Sequence, residues 1–232
     1  MPSARARRQP ENRPADWFGW GPGRTLVGEA QRQTIPELTR VFGHTGLYLR
    51  PSAESSPELS GNMLARVLSL HRVAGGFDGV FRCEDGQLPL AADSLSLLCS
   101  LFVLETSANA PALMREVARV LKPEGIALFI SLNPWSPTRL RWALHAGVPR
   151  TANAVETLVR DAGLEVIRRR YVGPRWAKTQ VTAAGPFAAP RLEWFDGLRA
   201  ASLVIARRRE APLTLQRKPM PAVGMRPGMS VG

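Results

Sequence analysis

CEDGQLPLAADSLSLLCSLFVLETSANAPALMREVARVLKPEGIALFISLNPWSPTRLRW, residues 83–142, reads as connector, strand, helix, turn, strand and helix. Asp85-Gly86 and Leu88-Pro89 predict a turn, because Gly tolerates positive φ and Pro holds the residue before it extended. Leu95 to Leu104 is short and nearly continuously apolar, which suits a strand covered on both faces. From Ala110 to Leu121 the apolar positions Leu113, Val117, Val120 and Leu121 recur at helical spacing, with Arg115, Glu116 and Arg119 left for the opposite side. Lys122-Pro123-Glu124-Gly125 predicts the helix end. Ile126 to Leu132 is again short, apolar and partly β-branched. A strand, a crossover helix and a second strand make a parallel unit, so the pattern predicts an α/β domain with ligands at the carboxyl ends of the strands.

Working outward, residues 1–14 are rich in Arg and Pro and poor in large apolar side chains, and residues 207–232 are basic and bear Pro, Gly and Met. Neither end has enough apolar surface to offset the entropy of ordering. The expected organisation is a basic tail over 1–16, one domain over 17–206 and a second basic tail over 207–232. A chain of 232 residues, 44% hydrophobic and 22% charged, is long enough for that domain to bury a full core. Of the net charge of +12, the ends hold the larger part: four Arg against one Glu in 1–15, and five Arg and one Lys against one Glu in 207–232. Such ends attract phosphates without shaping a site, so nucleic-acid binding is an expectation resting on charge alone. No apolar run reaches the ~18 residues of a spanning helix and no secretory segment is recognisable, so the sequence predicts a cytoplasmic protein with no membrane contact. Cys83 and Cys99 fall in the connector and a central strand, and His44, His71 and His145 have no ligand-like spacing, so neither a disulfide nor a metal site is expected.

The same stretch closely resembles the second half of class I S-adenosylmethionine-dependent methyltransferases of the type 11 group, and in particular an uncharacterised bacterial branch. The residues that carry the resemblance are Glu84 or Asp85, Leu88-Pro89-Leu90, Arg119-Val120-Leu121-Lys122-Pro123-Glu124-Gly125, Ile126 to Leu132, and a fifth strand that ends in Asn133-Pro134 and runs into a helix with Arg. The resemblance implies a three-layer, Rossmann-like sheet, mostly parallel with a reversed C-terminal strand. It also implies S-adenosylmethionine as cofactor. Glu84, with Asp85 as the alternative, becomes the acceptor for the adenine amino group; the other reading of Asp85 is a turn cap. Leu101 and Phe102, with Val103, become the apolar wall of the adenine and methyl-transfer pocket, and Phe102 reads equally well as core. Asn133 suits a strand terminator, and Trp135 with Arg139, Arg141 and Trp142 lies where a substrate is approached.

Earlier in the chain, Trp17-Phe18-Gly19-Trp20 predicts an aromatic patch docked on the domain. Thr25 to Phe42 has an imperfect helical pattern interrupted by Pro36. Thr45 to Arg50 is the expected first strand, and here the chain departs from the family. Where a Gly-rich turn lets the backbone approach the cofactor, this sequence has Arg50-Pro51-Ser52-Ala53-Glu54-Ser55-Ser56-Pro57. Arg50 is then a candidate partner for the cofactor carboxylate, and Ser52, Ser55 and Ser56 offer hydroxyls. The alternative is an ordinary polar turn. Met63 to Val73 begins like a helix and alternates like a strand from Val67. The family's ribose-binding carboxylate is missing at its end, where His71 stands as a plain strand residue. Phe77 to Arg82 reads as a third strand, Ala152 to Ala162 as a helix stopped by Gly163, Leu164 to Tyr171 as a sixth strand with a solvated Arg168-Arg169-Arg170, Trp194 to Ala200 as a helix, and Ser202 to Ala206 as the last strand. Two functions follow: methyl transfer from S-adenosylmethionine to a small-molecule acceptor, or a catalytically silent domain of the same fold that binds a partner.

Overall fold

The computed structural model describes residues 16–142, 147–174 and 197–209. Residues 1–15 and 210–232 of the basic ends, and residues 194–196 of the Trp194 to Ala200 segment, lie outside the described residues.

Eight strands form one sheet in the order β4-β3-β2-β1-β5-β6-β8-β7. They are β1 (Phe42–Arg50), β2 (Met63–Val73), β3 (Gly76–Gly79), β4 (Cys83–Glu84), β5 (Leu95–Leu101), β6 (Leu121–Leu132), β7 (Glu165–Val172) and β8 (Ala201–Arg207). Every residue of β5 is buried, as its unbroken apolar run requires. It pairs in parallel with β1 on one side and β6 on the other, and β1 pairs in parallel with β2. These four central strands are the parallel part of the sheet. The reversed C-terminal strand is present as β8, antiparallel to both β6 and β7. The other edge is reversed as well, which the sequence did not announce: β2 turns back through Gly75, at φ 81°, into antiparallel β3, and β4 reverses again.

Helices cover both faces. On one, α2 (Ala110–Val120) and α3 (Ala152–Asp161) pack on Leu47, Leu49, Leu68, Leu98 and Phe129. Asn109 caps α2 by accepting from Ala112 N at 3.0 Å, and Thr151 caps α3 through Ala154 N at 3.2 Å. Gly163, at φ 81°, ends the α3 turn. On the other face, α1 (Gly21–Leu38) lays Leu26, Val27, Ala30 and Leu38 over Tyr48, Leu97, Cys99, Leu128 and Ile130. Pro36 does not stop α1, because it stands in the last turn and Thr39 N closes on Ile35 O at 3.0 Å. Glu37, 5% exposed, accepts from Arg168 and, at 2.6 Å, from Arg170, so two of the three arginines expected in solvent tie β7 to α1. Arg169, on the opposite side of the strand, reaches Asn153 of α3 at 2.5 Å.

Three further expectations are revised. Helix α2 ends at Val120 rather than at the Lys-Pro-Glu-Gly run, which forms an irregularity in β6 where Leu95 pairs with Leu121 but Leu97 with Ile126. Met63 to Val73 is strand throughout, because β1 holds it in register from Phe42 onward. Residues 51–62 contain neither helix nor strand, so the parallel pair β1 and β2 is joined without the crossover helix that such pairs usually carry. The segment after β6 is a 3-10 turn, Pro137–Arg141, started by Ser136, and residues 143–146 lie outside the described part.

Candidate functional site

The chain leaves β1 toward β2 on one side and β5 lies on the other, so the strand order reverses between β1 and β5. Ligands of open α/β sheets bind at the carboxyl ends flanking such a point. Residues 50–55, Phe102 to Ser107 and Leu132 to Trp135 meet there, and each segment has a local reason for its shape.

Arg50 ends β1 and is 9% exposed. Its Nη1 donates to Ala53 O at 2.8 Å and to Ser55 O, which folds the following turn back onto the strand end. Ser52 supports the same turn by accepting from Glu54 N at 3.2 Å. The Nε of Arg50 and the Oγ of Ser55 are buried without a partner. Across the sheet, Arg50 stands in register with His71 of β2, whose Nδ1 is also buried and unpartnered. Burial first, and then the Arg50 charge, hold the His71 imidazole below its ordinary pKa. Burial also pushes the Arg50 guanidinium down.

One residue further along β2, Arg72 is buried on the side shared by Leu68 and Leu70, with its guanidinium 4.8 Å from the Phe77 ring centroid. It forms a two-pronged pair with Asp85, through Nη1 to Oδ1 and through Nη2 to Oδ2 at 2.8 Å. Ser107 Oγ donates to the same Oδ2 at 2.6 Å, and Arg72 Nη2 also donates to Thr106 O at 2.8 Å. The Asp85 carboxylate is thereby committed to the protein, while Glu84 is exposed on the two-residue β4. Glu84, the first candidate for adenine, and Asp85, its alternative, are thus separated by the fold.

At the end of β5, Phe102 takes φ 50°, a left-handed conformation that costs a non-glycine residue about 1–2 kcal/mol. Its N–H donates to Ile130 O at 2.8 Å, which continues the pairing with β6 past Leu101. Leu101 and Phe102 are both buried, and Phe18 stacks on Phe102 with centroids 5.2 Å apart and planes 11° from parallel. Gly19 follows so closely that an added Cβ would lie 3.1 Å from Ser52 Oγ. The aromatic patch at Trp17 to Gly19 therefore docks over the strand ends themselves.

Glu105 is a buried carboxyl whose acidity burial weakens. Its Oε1 accepts from Leu132 N at the end of β6, its Oε2 has no partner, and burial pushes its pKa up to about 7. Val148 N donates to Glu105 O at 2.9 Å, and Gly147 above it, at φ 84°, has room for no Cβ: the added atom would sit 2.3 Å from that oxygen. Asn133 is 3% exposed and spends its amide on Gly197 O (2.7 Å) and Arg199 O (2.9 Å), while its Oδ1 accepts from Trp135 N at 3.1 Å. Trp135 itself is 74% exposed. Sequence reading missed Arg72, Ser107 and Glu105. Arg72 had a signal, a cation on the apolar side of an alternating strand; Glu105 had only its place directly after an apolar run.

The segments that carry the family resemblance are bonded to each other rather than to the site. Arg119 of α2 donates to Leu88 O and Leu90 O, both at 2.9 Å, and its partner Glu116 accepts from Leu88 N at 2.9 Å. The Leu-Pro-Leu connector and the Arg-Val-Leu run form one latch.

Residues 33–129 match the family model described as a methyltransferase domain, of the type 11 group. A curated relative, the biotin biosynthesis bifunctional protein BioHC of Cellvibrio japonicus, is 32% identical over 93 residues, 37% of this chain. The match spans 18% of that relative's length. Among solved structures, a methyltransferase-fold protein of Listeria monocytogenes, described as S-adenosylmethionine dependent, superposes with a TM-score of 0.53 at 14% identity, over 80% of this chain and 99% of the other. A methyltransferase of Haloferax volcanii in complex with its activator Trm112 gives 0.52 at 16% identity, over 80% and 91%. Residues 33–129 thus carry the type 11 methyltransferase-domain match, the fold is the one seen in S-adenosylmethionine-dependent methyltransferases, and that family implies S-adenosylmethionine as the cofactor.

The residues present fit that cofactor unevenly. Arg50 Nε, Ser55 Oγ and His71 Nδ1 are orphaned polar atoms at the ends of β1 and β2, and they fit its amino-acid end. Asp85, locked to Arg72, offers nothing to adenine. Among the described residues no group of three His, Cys, Asp or Glu side chains is placed to hold a metal ion, and no helix is long and apolar enough to cross a membrane.

Proposed function

We propose that the chain transfers the methyl group of S-adenosylmethionine to a small-molecule acceptor at the carboxyl ends of β1, β5 and β6, as a cytoplasmic enzyme. The single observation that carries this reading is the methyltransferase-domain match over residues 33–129, which spans the strand-order reversal and the carboxyl ends of β1, β2 and β5. The cofactor supplies an already activated sulfonium, so the protein's task is alignment and exclusion of water rather than acid–base chemistry.

Arg50, Ser52 and Ser55 line the amino-acid end of the site, and Glu84 is the acidic side chain left free for adenine. Leu101 and Phe102 form the apolar wall, and Phe18 covers that wall from solvent. Asn133 is a positioning residue: it anchors the loop after β6 and orients the exposed Trp135, the acceptor-facing aromatic. The basic ends, of which residues 1–15 and 210–232 lie outside the described residues, offer phosphate contacts to nucleic acid and are not needed by this chemistry.

Thermal unfolding with S-adenosylmethionine or S-adenosylhomocysteine tests the reading. At a hundred times the dissociation constant, binding adds about 2.7 kcal/mol, a rise on the order of 5–10 °C for a domain of this size. A cooperative transition that does not move at millimolar ligand would reject it and leave the silent-domain alternative.

A further inference from the structure

We propose that this chain recognises its adenosyl ligand from the amino-acid end: Arg50 clasps the α-amino-acid carboxylate, while of the two acidic candidates on the adenine side Asp85 is withdrawn into the protein and only the exposed Glu84 is left. The inference rests on the methyltransferase reading above and concerns how the same site selects its ligand.

Buried charges in a folded protein are paired, neutralised or waiting for a ligand, because an isolated buried ion is costly. Five charged side chains are buried among the described residues: Glu37, Arg50, Arg72, Asp85 and Glu105. Glu37 holds Arg168 and Arg170, Arg72 holds Asp85, and Glu105 keeps its proton up to about pH 7. Arg50 has no carboxylate partner among the described residues. Its two hydrogen bonds both leave from Nη1 and both go to backbone carbonyls of the next turn. Nε is buried and unpartnered, and Nη2 has no partner among the described residues. The Nε–Nη2 edge is the fork of two parallel N–H donors that matches a carboxylate, and here Nη1 fixes the guanidinium so that this edge stays free. Ser55 Oγ, drawn in by the same clamp, and His71 Nδ1, in register beside Arg50, are the further unpartnered groups within the cluster.

The chain's departure from ordinary architecture explains the need. A helix following the first strand would present its N-terminal backbone donors to an anion at the strand end. No helix follows β1, and Pro51 removes one more backbone donor. A guanidinium stands where that ring of N–H groups would be. On the adenine side the exchange runs the other way, since Asp85 accepts three hydrogen bonds from Arg72 and Ser107. What remains there is Glu84, exposed and screened by water.

The test compares three probes on the full chain by calorimetry at one salt concentration: S-adenosylhomocysteine, 5′-methylthioadenosine, which keeps the adenosine and thioether but lacks the amino-acid end, and methionine. S-adenosylhomocysteine is expected to bind at least ~100-fold more tightly than methylthioadenosine, as loss of a bidentate charged pair requires. Arg50→Met should abolish that ratio. Because Arg50 also clamps its turn, Ser55→Ala, which leaves the backbone carbonyl in place, is the second variant: it should weaken S-adenosylhomocysteine several-fold and leave methylthioadenosine unchanged. Equal binding of the two adenosyl compounds would overturn the inference while the methyltransferase reading stands. Binding of methionine without either adenosyl compound would keep the carboxylate site and remove the cofactor. Silence from all three would remove both.

Discussion

The two halves of the sheet close their carboxyl ends by different means. From β5 to β7 the strands are spaced by helices α2 and α3, and the strand ends are sealed by apolar side chains and by one carboxyl whose charge burial disfavours, Glu105. From β1 to β4 the connections are a turn-rich segment and tight reversals, and the strand ends are organised by two neighbouring arginines. Arg72 has its counter-ion, and Arg50 has none among the described residues. The contrast teaches that losing helices from a parallel sheet costs more than cover: it also removes the helix N-termini that such folds aim at anions, and side-chain cations must take over.

The largest effect that sharpens this contrast is expected at the paired arginine. Asp85→Ala strands the Arg72 charge in a buried site and should lower stability by about 3–5 kcal/mol in denaturant unfolding, whereas replacing both with apolar residues, Arg72→Met with Asp85→Leu, should recover most of the loss. If the double variant is as unstable as the single one, the pair is not the organiser of that half.

Glu105 gives the matching test on the other side. Its ordinary pKa is near 4.5 and its folded value about 7, so the folded state holds more protons than the unfolded state between those values. Its contribution is complete below about pH 4.5 and is lost as the pH rises through 7, a swing of up to about 3 kcal/mol. Glu105→Gln, which keeps the acceptor for Leu132 N, should flatten the fall in melting temperature between pH 5 and 8; an unchanged slope would mean that another group carries it. Gly147→Ala should cost about 1–3 kcal/mol, since it adds a Cβ at positive φ against Glu105 O. At the small end, Arg160→Ala removes an exposed pair with Glu156 on α3 and should change stability by about 0.3 kcal/mol. A larger loss there would show that the helical half, too, leans on ion pairs.

Much of the helical half was legible in the sequence, because its information is local. Leu113, Val117 and Val120 repeat at helical spacing, and Leu95 to Leu101 is an apolar run with one meaning. The other half was harder to read. Met63 to Val73 carries two periods at once, and only pairing with β1 decides between them. The partnership of Arg72 with Asp85 and Ser107 depends on a hairpin of which the sequence showed only the Gly75-Gly76 turn. Glu84 and Asp85 were a single alternative until the fold exposed one and buried the other. Arg50 to Pro57 was open to reading as an ordinary polar turn, and that turn-like character holds through residue 62.

Cys99 draws a last consequence from the depth of β5. Its thiol lies in the core beneath α1, unpaired, and burial pushes its pKa up to about 12. The thiolate is the species that reacts, so alkylating reagents in ordinary buffer meet almost none of it while α1 is seated. Cys83, at about 11 and only half-buried, is nearly as inert despite standing at the sheet edge. The rate at which Cys99 becomes labelled is therefore a clock for the lifting of α1 from the sheet, built into the chain without any added probe.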